Sequence, residues 1–229
     1  MPDLSLRLKI IAGLVPQGAK VCDVGTDHGY LAIYLKCKGI AQSVIATDLN
    51  EKPLKRAQEN LASAGVSGVS LRLCDGLAGV KQGEADTVII AGMGGEVIAR
   101  ILEGGAHIVN DGKVTLIMQP TTSPEILREF LCKNGFSIEK EVPVFENGKL
   151  YSVIVCSFRN KFADYSEAFY YVGLLTPKTE AGRLYIEKQK KRILSCMAPL
   201  EFLDEKRELY LKYKTILDDI NQKYIDYGE

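Results

Sequence analysis

Four short apolar runs in the first half of the chain each end in a glycine-rich or acidic tip. The runs are Ala19–Val24, Ser43–Thr47, Val69–Leu73 and Thr87–Ala91, and stretches with helical periodicity follow most of them. This alternation predicts an α/β fold with a parallel, doubly wound sheet. Because parallel strands end at the same edge, all four tips should meet where such sheets bind ligands.

Further elements extend this pattern on both sides. The apolar spacing over residues 4–15 predicts an amphipathic helix before the first strand. A fifth strand is expected over Lys113–Gln119, followed by another helix. Two β-rich runs, Phe136–Phe145 and Leu150–Phe158, flank the typical turn sequence Asn147-Gly148. An antiparallel hairpin should therefore complete the sheet at one edge.

The pattern becomes helical beyond about residue 160, where only Phe169–Leu175 keeps a β-like alternation. One helix should end near Met197, and a second should run from Leu200 to about Tyr227. Apolar residues in the second helix recur at nearly seven-residue spacing, which predicts a coiled-coil-like helical hairpin. We therefore expect two domains, residues 1–160 with a core of their own and residues 161–229.

Composition excludes several classes of protein. The chain of 229 residues has a formal net charge of zero, so any nucleic-acid site must be a local basic patch. Its six cysteines form no Cys-x-x-Cys pair, so we expect reduced thiols and no metal. The N-terminal residues lack the layout of a signal peptide, and no apolar run approaches the roughly 20 residues of a membrane span. The sequence thus predicts a cytoplasmic protein that does not associate with membranes.

The first tip combines glycines with acids. A ligand could approach the backbone closely at Gly25 and Gly29, because neither has a side chain. Asp27 stands where dinucleotide-binding loops have glycine, and its carboxylate would repel a pyrophosphate but attract a sulfonium and an ammonium group. The loop therefore indicates S-adenosylmethionine, unless it is an ordinary strand–helix turn. The candidate cofactor-binding residues here are Asp23, Val24, Gly25, Thr26, Asp27, His28 and Gly29.

Acids also follow the second and third strands. Asp48 could accept hydrogen bonds from ribose hydroxyls, or it could cap the next helix, a role that Asn50 could take instead. Asp75 could accept a hydrogen bond from an exocyclic amine, or it could belong to a plain Asp-Gly turn. Acids on three successive strand ends favour a ligand over three unrelated turns. The candidate cofactor-binding residues at these tips are Asp48, Leu49, Asn50, Asp75 and Gly76.

The fourth tip, Gly92-Met93-Gly94-Gly95, would place bare backbone beside the expected methyl group, where a flat base could enter. The alternative is a tight turn with Met93 as a packing residue. Gln119 ends the fifth strand at the same edge and could read the edge of a base. The candidate catalytic residues are Asp27, Gly92, Met93, Gly94 and Gln119, and Gly92 is also a candidate for binding the cofactor.

Four motifs, in this order, carry a family resemblance: Leu4-Ser5-x-Arg7-Leu8, Asp23-Val24-Gly25-Thr26-Asp27-His28-Gly29-Tyr30-Leu31, Gly92-Met93-Gly94-Gly95 and Gln119-Pro120. With them the chain resembles the bacterial tRNA adenine N1-methyltransferases that modify adenine 22, the TrmK family. The resemblance covers essentially the whole chain. It implies a Rossmann-like, class I S-adenosylmethionine-dependent methyltransferase sheet, followed by a C-terminal helical domain that binds tRNA.

The resemblance also implies roles for single residues. Adenine amino-methyltransferases usually carry a polar residue, two prolines and an aromatic residue at the fourth strand end. This chain has Gly-Met-Gly-Gly there, which disfavours methylation of an amino group. By position, the residues that would bind the cofactor are Asp23, Gly25, Asp27, Asp48, Asp75 and Gly92.

The chemistry follows from the atom that is methylated. N1 of adenine has a free lone pair, so the enzyme mainly has to align the base with the methyl group. The methylated ring is cationic, and a nearby carboxylate would stabilise it. Asp27 is the candidate for this role, with positioning of the cofactor as the competing assignment. The base should flip out of the folded tRNA.

A basic run in the first helix of the tail is the expected grip on tRNA. Only Glu187 interrupts it, and neutralisation of phosphates dominates such affinity. The alternative is a solvated helix face. The candidate tRNA-binding residues are Arg7, Arg183, Lys188, Lys190, Lys191 and Arg192.

Two other function classes stay open. A methyltransferase that acts on a small molecule would not need the tail. A non-catalytic RNA-binding protein with a retained methyltransferase fold would bind S-adenosylmethionine weakly or not at all. The sequence leaves the oligomeric state open between a monomer and a weak dimer.

Overall fold

The computed structural model describes residues 3–224, which contain a seven-stranded mixed sheet. The strands are β1 (Ala19–Val24), β2 (Ala41–Asp48), β3 (Val69–Leu73), β4 (Thr87–Gly94), β5 (Thr115–Thr122), β6 (Phe136–Glu146) and β7 (Lys149–Phe158). Their spatial order is β3-β2-β1-β4-β5-β7-β6. The first five are parallel, and β7 is antiparallel to both β5 and β6. The predicted α/β fold with an antiparallel edge is confirmed.

Helices cover both faces of this sheet. Val88 and Ile90 of β4 pack on one face with the fourth and sixth helices, whereas Ile89 packs on the other with the first two. A central parallel strand is buried on both faces, which is why its sequence is continuously apolar. The helices of this part are α1 (Leu6–Leu14), α2 (Tyr30–Cys37), α3 (Glu51–Ser63), α4 (Gly95–Gly104), α5 (Ala106–Val109) and α6 (Pro124–Lys133).

Two central strands are longer than predicted. β4 continues beyond Ala91 because Met93 pairs with Pro120 and Gly94 with Thr122, after an irregularity in the ladder. β5 likewise continues three residues beyond Gln119. The prediction that β4 ends at Ala91 and β5 at Gln119 is wrong. The glycine-rich tip of β4 is therefore strand backbone held by β5, and only Gly95 begins the next helix.

The C-terminal region is helical, as predicted, but its boundaries differ. Residues 169–175 form no strand, and most of them lie in a short helix instead. The second long helix begins at Arg207 rather than Leu200, after two short 3₁₀ turns, and its predicted end near Tyr227 lies outside the described residues. The helices of this region are α7 (Glu167–Val172), α8 (Glu180–Met197) and α9 (Arg207–Tyr224).

The C-terminal helices pack on one another and on the sheet. Ile193 of α8 and Ile216 of α9 share one buried cluster with residues of α7. Arg128 of α6 is fully buried and joins this region to the sheet. Its guanidinium donates to Glu141 at 2.9 and 3.1 Å, to the Tyr170 carbonyl at 2.8 Å and to the Tyr185 hydroxyl at 3.2 Å. The two predicted domains therefore share a buried polar cluster.

Between residues 3 and 224, no helix combines the length and the apolar character needed to cross a membrane.

Candidate active site

A cleft of about 470 Å³ opens at the carboxyl edge of β1, β2 and β4. Three of the four predicted tips meet there, and the N-terminal helix closes one side. We call this the cofactor cleft. Its lining residues are Arg7, Leu8, Asp23, Gly25, Thr26, Asp27, His28, Tyr30, Leu31, Asp48, Asn50, Pro53, Ala91, Gly92 and Met93.

Backbone hydrogen bonds to β2 hold the loop that follows β1 in shape. The amides of Gly25 and Thr26 donate to the carbonyl of Thr47 in the neighbouring strand at 2.8 and 3.0 Å. Gly25 has a φ of 71°, and a Cβ at this position would collide with the Cε atom of Met93. The positive φ favours glycine for the turn, and the lack of a side chain lets the end of the Met93 side chain pack against this backbone.

Asp23 is a buried acid at the floor of the cofactor cleft. Burial raises the pKa of its carboxyl to about 6, the charge of Asp48 adds to this effect, and a hydrogen bond from the Thr26 hydroxyl opposes it. That hydrogen bond is 2.6 Å long. A cation placed nearby would favour the charged form of Asp23, because it would offset the cost of burying a carboxylate.

Asp27 lies on the rim of the cofactor cleft, with a φ of 51°. Its side chain is 67% exposed, and a carboxylate oxygen lies 3.4 Å from Nε2 of His28. The ring of His28 stacks on Tyr30 with 5.3 Å between the ring centres. The predicted acid is thus at the cleft and accessible to a substrate that enters it.

Asp48 ties two loops together. One carboxylate oxygen accepts from the amide of Asn50 at 3.0 Å, and the other accepts from the amide of Asp27 at 3.4 Å. The Asn50 side chain makes no cap hydrogen bond to α3. Asp48 therefore orders the turn that leads into α3 and also presents a carboxylate to the cleft.

Five predicted cofactor residues do not line the cleft: Val24, Gly29, Leu49, Asp75 and Gly76. Val24 is part of the buried core, and the side chain of Leu49 is 65% exposed to solvent without lining the cleft. Asp75 and Gly76 line a smaller concavity beside Arg100. Asp75 and Gly76 do not reach the cofactor cleft, because β3 is an edge strand and the turn after it packs against Ile101 of α4. Gly29, buried behind the loop, packs against Ala57.

Gln119 does not face the cofactor cleft. Its side chain is fully buried; its Oε1 atom accepts from the Arg7 guanidinium at 2.7 Å, and its Nε2 atom donates to the Pro120 carbonyl at 2.8 Å. The expectation that Gln119 reads a base edge is therefore not met in this conformation. Gln119 instead holds Arg7, whose backbone amide also donates to Glu146 at 3.0 Å.

Arg7, predicted as a tRNA contact, lies in the cofactor cleft itself. Its Nη1 atom would be 3.7 Å from a Cβ placed on Gly92. Its guanidinium lies 5.5 Å from the centre of the Tyr151 ring. The sequence did not single out Tyr30 and Pro53, which line the cleft, or Tyr151 and Glu146, which contact Arg7, because single residues of these types are common at the ends of elements. The one available signal was the aromatic Tyr30 directly after the glycine loop.

The basic run of α8 is not one continuous face. Lys188 and Arg192 line a second cleft between β5, β7 and α8, whereas Lys191 lies outside it on the exposed surface. Lys190 pairs with Glu187 at 3.0 Å. Arg183 donates to the Pro177 carbonyl at 3.2 Å, close to the start of the helix. Of the predicted tRNA-binding residues in α8, only Lys188 and Arg192 therefore line the cleft beside the sheet.

The cofactor cleft suits S-adenosylmethionine. Its volume lies in the range of about 300–1,000 Å³ that is usual for small-molecule sites. Three carboxylates, of Asp23, Asp27 and Asp48, face it together with the guanidinium of Arg7. Gly92 also lines the cleft, and among the described residues, its chain neighbours aside, only the Nη1 atom of Arg7 lies within 4 Å of a Cβ placed on it, so bare backbone is accessible there. Within residues 3–224, no group of three or more His, Cys, Asp or Glu side chains is arranged to hold a metal ion.

Comparison with known proteins agrees with this geometry. Residues 4–154 match a family model described as a methyltransferase domain. The chain is 38% identical over 173 residues to the tRNA (adenine(22)-N(1))-methyltransferase of Bacillus subtilis (strain 168), covering 75% of this chain and 72% of that relative. The crystal structure of the B. subtilis M1A22 tRNA methyltransferase TrmK has a TM-score of 0.83 at 31% identity, covering 96% of each chain. M. capricolum TrmK in complex with S-adenosyl-homocysteine has a TM-score of 0.78 at 30% identity, covering 97% of this chain and 98% of that one.

Proposed function

Because the chain belongs to the family of tRNA (adenine(22)-N1)-methyltransferases, we propose that the cofactor cleft is where S-adenosylmethionine and the target adenine meet. The protein is a methyltransferase that transfers a methyl group from S-adenosylmethionine to N1 of adenine 22 in tRNA. The observation that carries the placement is the approach of the β4 tip to Gly25, which shapes one cleft lined by three carboxylates.

The residues of the cleft divide the work between binding and alignment. S-adenosylmethionine, when bound, supplies the methyl group as part of a sulfonium cation. Asp23 and Asp48 provide negative charge at the floor of the cleft and order its two loops. Asp48 is the candidate acceptor for ribose hydroxyls. The backbone of Gly92 and Met93 forms the wall along which a flat adenine ring fits.

Asp27 and Arg7 act at the rim of the same cleft. The exposed carboxylate of Asp27 stabilises the positive charge that develops on the adenine ring as N1 is methylated. Arg7 is held by Gln119 and Glu146, so its guanidinium is positioned before the substrate arrives. No residue has to act as a general base, because the N1 lone pair is available without loss of a proton.

The remaining properties are proposals that follow from the substrate. Residues of the C-terminal helices contact tRNA outside the target base. Because its substrate is tRNA, the enzyme works in the cytoplasm. It needs no metal ion for a transfer in which the leaving group is already activated as a sulfonium. A monomer and a weak dimer both stay open.

Transfer of labelled methyl from S-adenosylmethionine to defined acceptors tests this function. An unmodified tRNA transcript with adenine 22 should be labelled, and the same transcript with guanine at that position should not. Free adenosine should not be labelled at a comparable rate. Labelling of adenosine but not of tRNA would support a small-molecule methyltransferase, and binding of tRNA without any transfer would support a non-catalytic protein.

A further inference from the structure

A second cleft, of about 300 Å³, lies between the end of β5, the start of β7 and one face of α8. On the sheet side it is lined by residues 120–124 and 150–152. On the helix side it is lined by Tyr185, Lys188, Gln189 and Arg192. We call it the tail cleft, because the C-terminal helices form one of its walls.

Gln189 leaves a hydrogen-bond acceptor unused in the tail cleft. Its side chain is only 2% exposed. Within the described residues, no donor is in hydrogen-bonding position to its Oε1 atom. A buried polar atom without a partner costs free energy, and such atoms are few in folded proteins. This Oε1 atom has almost no accessible surface, so an N–H group of a ligand in the cleft would satisfy it once the Gln189 amide turns toward the ligand.

Lys188 brings an unneutralised charge to the same wall. Its Nζ atom donates to the carbonyl of Leu150 at 3.0 Å, and it forms no ion pair with any carboxylate in the described part of the chain. Burial and the nearby charge of Arg192 lower its pKa. Arg192, by contrast, forms two hydrogen bonds to Glu125, at 2.6 and 2.8 Å. An anion that reached the cleft would therefore be attracted mainly by Lys188.

The tail cleft adjoins the cofactor cleft directly. The hydroxyl of Thr121, a tail-cleft residue, donates to the carbonyl of Met93, a cofactor-cleft residue, at 3.0 Å. Tyr151, which lines the tail cleft, also makes a contact across to the cofactor cleft. Its ring faces the guanidinium of Arg7, which lines the cofactor cleft. A nucleic-acid chain with one base in the cofactor cleft can therefore place an adjoining nucleotide in the tail cleft.

We propose that the tail cleft binds a nucleotide adjoining the target adenine in tRNA. Lys188 contacts its phosphate, and Oε1 of Gln189 accepts a hydrogen bond from an N–H group of its base. This inference rests on the proposed function and adds to it a second place where the RNA is read. Gln189 is thus a substrate-binding residue, remote from the transferred methyl group.

Gln189→Met tests the base contact, because methionine has nearly the same volume but no acceptor for the base. We expect the KM for an unmodified tRNA transcript to rise about three- to tenfold, as for one neutral hydrogen bond. The kcat and the Kd for S-adenosylmethionine should stay at the parent values. Thermal stability should be equal or higher, because a buried unpaired atom is removed. The matched control is Gln58→Met on the exposed face of α3, which should change none of these quantities.

Lys188→Met tests the phosphate contact through salt dependence. We measure the slope of log Kd against log salt concentration by filter binding of the same transcript. This slope should become smaller by roughly 0.7–0.9, which is the contribution of one phosphate contact. Lys55→Met on α3 is the control and should keep the parent slope.

The two experiments separate failure of the inference from failure of the proposed function. If the parent methylates the transcript and Gln189→Met keeps its KM and its tRNA Kd within twofold, the base contact is wrong. An unchanged salt slope in Lys188→Met overturns the phosphate contact. If the parent yields no N1-methyladenosine, the proposed function fails, and the Kd values for the transcript still decide whether the tail cleft binds RNA.

Discussion

Asp27 combines an accessible carboxylate with a backbone conformation that few residues adopt. Its φ of 51° lies in the left-handed region, where Asn and Asp are the most common residues after glycine. Asp27→Asn therefore keeps the backbone and the shape of the side chain but removes the charge. This makes it a clean probe of the electrostatic role that we propose.

We expect Asp27→Asn to leave the free energy of unfolding near the parent value and to lower the rate of methyl transfer. Loss of one preorganised electrostatic contact typically costs about 10²–10³ in rate. Single-turnover kinetics at saturating S-adenosylmethionine measures this step apart from binding. Asp218→Asn, on the exposed face of α9, is the control. A rate within a few-fold of the parent would show that Asp27 only shapes the loop or anchors the cofactor.

Asp23 should make stability depend on pH in an identifiable way. Its folded-state pKa, raised from the ordinary 3.8 to about 6, means that the folded protein takes up a proton between about pH 6 and pH 4, whereas the unfolded chain does not. The Asp23 contribution to the free energy of unfolding therefore becomes more favourable as the pH falls through this window. At neutral pH the buried charge is a cost.

Asp23→Asn removes that charge and keeps an acceptor for the Thr26 hydroxyl. In cofactor-free protein at pH 7.5 we expect it to be more stable than the parent, by up to about 3 kcal/mol for a pKa shift of roughly two units. At pH 5 this difference should fall to about half, because the folded parent is then largely protonated whereas its unfolded chain still is not, and it should vanish only below about pH 4. Urea unfolding at both pH values measures it, and a difference that is independent of pH would contradict the assignment.

At the level of single elements, the glycines of the β4 tip serve different purposes. Gly92 has a φ of 82°, whereas Gly95 begins α4, where a Cβ would collide with the carbonyl oxygen of Ser123. Gly95→Ala should therefore cost about 1–3 kcal/mol of stability through overpacking. Urea unfolding checks this expectation, and equal stability of Gly95→Ala and the parent would rule out this packing role.

Gly13→Ala, within α1 and with open space around it, should instead stabilise the protein by about 0.5–1 kcal/mol.

The order of strands and helices was predictable because each parallel strand is a short apolar run between helical stretches. The bounds of β1 and β3 follow from the sequence directly. The extensions of β4 and β5 could not be predicted, since glycine and proline usually end a strand, and here the pairing of Met93 with Pro120 and of Gly94 with Thr122 holds them in the sheet.

The candidate site was predictable where a strand tip delivers its residues to the cleft. Asp23, Asp27 and Asp48 were found in this way. Asp75 was not brought there, because a sequence does not reveal how far an edge strand's tip diverges. The role of Gln119 as a support for Arg7 depends on a contact between the N-terminal helix and β5, which lie far apart in the sequence.

For the molecule as a whole, the C-terminal helices are held to the sheet by Arg128 and its partner Glu141, because the Arg128 guanidinium also donates to the Tyr170 carbonyl and the Tyr185 hydroxyl. Both charged side chains are fully buried, and although burial favours the neutral form of Arg128, Glu141 raises its pKa above the usual value. Residues 1–160 alone would lose the carbonyls and the hydroxyl that complete this cluster. The division at residue 160 therefore stays a proposal. A chain that ends there should have a lower free energy of unfolding than a domain whose buried groups are all paired.

Arg128→Met should destabilise the protein by about 3–5 kcal/mol, because it leaves the buried Glu141 carboxylate without a charged partner. Chemical unfolding measures the loss. Adding Glu141→Gln should recover part of it, since the second change removes the buried charge. Arg56→Met, on the exposed face of α3, serves as the control. If Arg128→Met unfolds at the same denaturant concentration as the parent, the cluster does not hold the two regions together.

The identity of the methylated nucleoside tests the central claim most directly. After reaction with S-adenosylmethionine, an unmodified tRNA transcript is digested to nucleosides, and the products are separated by chromatography and identified by mass spectrometry. Membership of the adenine-22 family, together with the backbone wall at Gly92 and Met93, predicts N1-methyladenosine at position 22 and nowhere else. N6-methyladenosine, or N1-methyladenosine that persists when adenine 22 is replaced, would contradict the account.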